Sequence, residues 1–136
     1  MTNVLKAGIF YFLGVFAMGF VLGALRIYFL APYTGPVIAV LIEMPFMLLF
    51  AWQLCRLLTT RLQVPSDTYQ RLTMGFVAFV CLMAGEVLTA LLLQNGRMTE
   101  FFQMFDLPEN RIGLAGQIAF ALFPLVQGYA QLKNEP

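Results

Sequence analysis

Apolar residues run along this chain in four long blocks, separated by short polar or turn-forming stretches. The blocks cover residues 5–30, 35–58, 68–94 and 109–131. Each exceeds the roughly 20 residues that a helix needs to cross hydrocarbon. None shows the alternation of a barrel strand. Lipid offers a backbone no hydrogen-bond partner, so spans of this kind are helices. The pattern predicts an all-α protein, a four-helix transmembrane bundle forming one domain.

The breaks carry turn chemistry. Pro32, Gly35 and Pro36 separate the first two blocks. Val64 to Asp67 separates the second and third, with Ser66 as the expected N-cap. Asn95 and Gly96 close the third block. Pro108 opens the fourth near a helix N-terminus, where its missing N–H costs little. Lys6 stands at the start of the first block, as in a signal peptide. That block is too long for a signal core and lacks a small-residue cleavage site after Arg26, so it is expected to be a retained span. Between 97 and 106 the period changes. Met98, Phe101, Phe102 and Phe105 share one helical face, while Glu100, Gln103 and Asp106 lie elsewhere on the wheel. This spacing predicts a short amphipathic helix on the outer membrane surface.

Lys and Arg placement sets the expected orientation. The side with both termini holds five such residues (Lys6, Arg56, Arg61, Arg71, Lys133), and the other holds three (Arg26, Arg97, Arg111). Both termini are therefore expected in the cytoplasm.

Composition sharpens the class. Apolar residues are 60% and charged residues 11%, against about 45–50% and about 25% in soluble domains. Mean hydropathy is +0.80. These values exclude a disordered chain and a small soluble globule. A net charge of +1 with no basic cluster excludes a nucleic-acid module. There is no histidine, and Cys55 and Cys81 form no CxxC pair. No metal site, redox pair or cofactor is expected.

Four residues inside the blocks do not suit lipid: Arg26, Glu43, Glu86 and Gln117. At 1.5 Å rise per residue, Arg26 lies about 9 Å below Pro32 and Glu43 about 12 Å below Gly35. Glu86 lies about 13 Å below Asn95, and Gln117 about 12 Å below Glu109. Each span thus places one strongly polar group at nearly one level of the outer half. A charge near the bilayer centre costs about 2.5–3.5 kcal/mol, so these groups are expected to point inward and together. Arg26 then donates to Glu43, Glu86 or both, with Gln117 filling remaining bonds. One arginine neutralises one glutamate. The second glutamate is expected to hold a proton or to sit beside a cation.

The neighbouring faces are small. Gly19 and Gly23 form a GxxxG on the face of Arg26, and Gly85 lies beside Glu86, which marks close helix packing. Pro45 and Pro124 each remove a backbone bond, freeing the carbonyls of Leu41 and Phe120. Both are candidate kinks or hinges.

Leu25 to Pro32 (LRIYFLAP), Ile42 to Pro45 (IEMP), Met83 to Glu86 (MAGE) and Gly113 to Gln117 (GLAGQ) resemble small four-span bacterial inner-membrane proteins of unknown function. The resemblance implies a multi-pass inner-membrane bundle and carries over no site residue. Other four-span families fit poorly. Small multidrug exporters keep their essential carboxylate in the first span, which here holds Arg26. Quinone-linked thiol oxidases need paired outer cysteines, and sterol-isomerase-like bundles need histidine.

Two classes of function remain in view. One is a binding or transport-like protein whose polar layer takes a small ligand, cation or proton, working as a homodimer. The other is an accessory subunit of a larger membrane complex, with the layer as internal glue. A lipid-modifying enzyme is a third reading, without a catalytic motif to support it, so the chain is not expected to be an enzyme.

Overall fold

The computed structural model describes residues 1–93, 103 and 106–135. Among them the chain is helical, with no strand. Helix α1 covers Thr2–Leu25 and passes through a π-helical turn, Arg26–Leu30, into the short α2, Ala31–Thr34. Helix α3 covers Pro36–Arg61, α4 covers Thr68–Leu93, and α5 covers Pro108–Asn134. Four helical segments are long and apolar enough to cross a membrane, the first running unbroken from Thr2 to Thr34. Large apolar side chains such as Phe20, Phe46, Leu49, Phe76 and Leu88 face outward. An apolar exterior suits a solvent of lipid tails, and the chain is a multi-pass membrane protein.

Two expected breaks fall elsewhere. Pro32 does not end the first span. It occupies the first turn of α2, where a missing N–H is tolerated. Its ring would clash with the carbonyl of Tyr28 in a regular α-helix. The wider π turn just before it takes up that clash. Gly35 makes the break instead, at φ +85°, a conformation that costs glycine little. Moving the end to Thr34 puts Arg26 eight residues, or about 12 Å, below it. That is the level expected for the other three polar groups.

Ser66 is not the N-cap of α4. Asp67 is, its Oδ2 accepting the Gln70 N–H at 3.3 Å. The preceding helix closes with a Schellman pattern. Val64 N–H donates to Thr59 O at 2.9 Å and Gln63 N–H to Thr60 O at 3.3 Å, with Gln63 at φ +50°. The expected surface helix at 97–106 and the Asn95–Gly96 stop lie outside the described residues, apart from Gln103 and Asp106.

In the bundle α1 packs on α3 and α4, and α5 also packs on α3 and α4. The ring order is α1–α3–α5–α4, so consecutive helices α1/α3 and α4/α5 form two hairpins. The core lies toward the end that holds the termini, around Val4, Ala7, Tyr11, Cys55, Met74 and Phe120. Small residues set the spacing. A Cβ on Gly75 would overlap the carbonyl oxygen of Ala121, which brings α4 and α5 into backbone contact. Gly85 takes the rings of Phe12 and Phe16 at 3.3 and 3.1 Å from its ideal Cβ.

Candidate functional site

Above this core the helices part around a cavity of about 460 Å³. Its deep wall is apolar and includes Val15, Ala51, Leu82 and Phe120. Arg26, Glu43, Glu86 and Gln117 all line it higher up. Inward-facing polar groups on four helices keep charge away from lipid, and they hold open a space that aliphatic side chains would close.

The four groups do not make one cluster. They form two pairs, one in each hairpin. Arg26 Nη1 lies 3.1 Å from Glu43 Oε2, across α1 and α3. The contact is an ion pair by distance, yet Glu43 Oε2 accepts no aligned hydrogen bond. Charge attraction needs no exact angle, so the two side chains act as an ion pair at this distance. Arg26 is 31% exposed and Glu43 13%, so the pair is half-open rather than sealed. The second pair crosses α4 and α5, where the Gln117 amide donates to Glu86 Oε1. Arg26–Glu43 is the ion pair formed among the described residues, and Glu86 is held by a neutral partner.

The glycines of the first span work within the bundle. Gly19 faces the Met47 Cε at 3.7 Å from its ideal Cβ, and Gly23 lies 4.0 Å under the Arg26 guanidinium. The GxxxG therefore receives α3 and lets the arginine fold back along its own helix. Pro45 is exposed, two residues from Glu43, and α3 continues through it. Pro124 is fully buried. The Phe120 carbonyl that it frees accepts a bond from the Tyr11 hydroxyl at 2.9 Å, and the two rings stack at 4.3 Å. This joint crosses the diagonal of the bundle, from α1 to α5.

The sequence marks Thr89 and Gly113 only as small packing positions beside Glu86 and Gln117, and does not mark Glu109 or Asn110 as site residues. Thr89, Glu109, Asn110 and Gly113 also line the cavity. Their signal was helical spacing. Thr89 lies one turn from Glu86, while Asn110, Gly113 and Gln117 recur at three and four. In the sequence Arg71 counts only as an orientation charge. It is 2% exposed and donates to Pro65 O at 2.8 Å, Val64 O at 3.1 Å and Gln131 Oε1 at 2.8 Å. Ser66 Oγ also donates to Gln131 Oε1, at 3.0 Å. This network pins the 62–67 turn to the end of α5, and nothing in local sequence marks it. Gln127 adds a further tie, its Nε2 donating to Trp52 O at 2.9 Å.

Against known proteins the chain matches no family model, no curated sequence and no solved structure.

Proposed function

We propose that this chain is a small binding protein of transport-like design in a bacterial inner membrane, with both termini cytoplasmic. Its polar-lined cavity, in the outer half of the bilayer, takes a small ligand together with a cation or proton. One observation carries this reading. A cavity of about 460 Å³ is bounded by a strongly polar group from every span. Ligand sites are commonly concave, mostly apolar and about 300–1,000 Å³, with a few convergent polar groups. A purely structural polar layer has no need of such a space, because packing normally closes it.

The pairing of all four side chains favours a second reading. In it the layer fixes helix register, and the chain serves as an accessory subunit of a larger complex.

Accessibility separates the two. Thr89→Cys, with Cys55 and Cys81 replaced by alanine, is treated in sealed right-side-out vesicles with a membrane-impermeant thiosulfonate. Labelling from the outer side supports the site and its orientation. Labelling only after the vesicles are inverted refutes the orientation. No labelling from either side refutes the open cavity and leaves the accessory reading.

A further inference from the structure

We infer that the cavity ligand is a monovalent organic cation with an apolar body, such as an aryl- or alkylammonium. This rests on the binding function proposed above and names its substrate class. Charge is the first argument. Three carboxylates line the cavity, on Glu43, Glu86 and Glu109, against one guanidinium, on Arg26. Arg26 lies against Glu43. Glu86 faces the same space with an amide as its partner. A carboxylate in a poorly solvated wall needs a positive charge to balance it, and an anion entering this space would meet net repulsion.

The walls decide which cation. A hard metal ion takes about six to eight oxygen ligands. Among the described residues, no group of three His, Cys, Asp or Glu side chains comes together to hold one. The apolar lining instead includes Val15, Phe16, Leu82 and Phe120 with two methionines, Met44 and Met47. Phenyl faces and thioethers match a weakly hydrated ammonium and its hydrocarbon, not a hydrated ion. The ammonium is assigned to Glu86, beside Gln117 and Thr89. The apolar body points toward Leu82 and Phe120, deeper in the bundle. Arg26 then has a definite part. By occupying Glu43, it leaves Glu86 as the carboxylate of the four-residue polar layer whose partner is a neutral amide, which matches a ligand of one charge.

The test titrates the full chain in lipid nanodiscs by calorimetry. The probes are benzyltrimethylammonium and phenylmethanesulfonate, of similar size and opposite charge. Saturable binding of the cation is expected, with none of the anion over the same range. Glu86→Gln should weaken cation binding about tenfold or more, the loss of one charged contact. A second variant keeps the test decisive if that one does not fold. Gly113 lines the cavity, and a Cβ there meets nothing within 4 Å, so Gly113→Trp fills the space without an initial clash. It should remove cation binding while the protein stays folded. The inference is overturned if the cation does not saturate, if the anion binds as well, or if Gly113→Trp binds the cation as wild type does. Equal binding by a folded Glu86→Gln overturns it too. Anion binding that Gly113→Trp removes would leave the binding site standing and sink only the cation assignment. A Thr89→Cys that no reagent reaches would sink the site itself.

Discussion

Tyr11→Phe deletes one oxygen from the centre of the protein, and its cost can be worked out from what that oxygen does. Pro124 has no N–H, so the carbonyl of Phe120 lacks its helical donor. The Tyr11 hydroxyl supplies one at 2.9 Å, at a position that is 0% exposed. Phenylalanine keeps the ring and its stacking, so the change isolates the hydrogen bond. An unsatisfied buried carbonyl costs about 1–3 kcal/mol in protein interiors. Interhelical bonds within membranes average about 0.6 kcal/mol and reach about 1.7. A loss of about 1–2 kcal/mol is therefore expected. The control is Pro124→Ala, which restores a backbone N–H facing the same carbonyl. In that background Tyr11→Phe should cost no more than about 0.5 kcal/mol, near the usual limit of additivity. The assay is reversible unfolding of all four proteins of the cycle in mixed micelles. An equal cost in both backgrounds would refute the idea that tyrosine substitutes for the bond that proline removes.

Arg71→Leu should destabilise by about 3 kcal/mol, because it strands Val64 O and Pro65 O and leaves Gln131 Oε1 with Ser66 Oγ as its donor. Limited proteolysis should then cut within 62–67, and Arg71→Lys should rescue only in part, since an ammonium lacks the planar fork. Gly75→Ala should cost about 1–3 kcal/mol by forcing α4 off the Ala121 carbonyl, whereas Gly113→Ala should gain up to about 1 kcal/mol in thermal unfolding. Arg26→Gln should cost about 1–2 kcal/mol. That is below the roughly 3–5 kcal/mol for a sealed pair, because the arginine, 31% exposed, is only partly enclosed by protein. Adding Glu43→Gln should recover most of that loss, and melting temperatures of the four-member cycle check it.

Much of this architecture can be read directly from the chain. Hydropathy sets out four spans, because lipid imposes one rule on every residue along them. The level of Arg26, Glu43, Glu86 and Gln117 follows from helical rise alone. Which of them touch does not follow, because contact depends on helix rotation and ring order, which a depth estimate ignores. Arg71 shows a different gap. Its charge counts toward orientation wherever its side chain points, so its burial beneath Gln131 leaves no trace in the count. The freed carbonyl at Phe120 was predictable from Pro124. Its donor was not, since Tyr11 lies 109 residues away. Pro32 misled because proline breaks a helix interior yet suits a first turn, and only the π turn before it creates that first turn.

Each polar pair lies within a single hairpin, and this bears on how the chain enters a bilayer. The first hairpin carries Arg26 with Glu43, and the second carries Glu86 with Gln117. A newly made first hairpin holds its own counter-charge and can leave the insertion machinery before the second exists. The second brings no arginine to the level of Glu86, only an amide. Association of the two then proceeds through contacts that carry no net charge, such as Tyr11 on Phe120 and Gly85 on Phe16. This pairing allows two insertion events followed by one docking event, and the cavity, walled by both hairpins, forms with the docking.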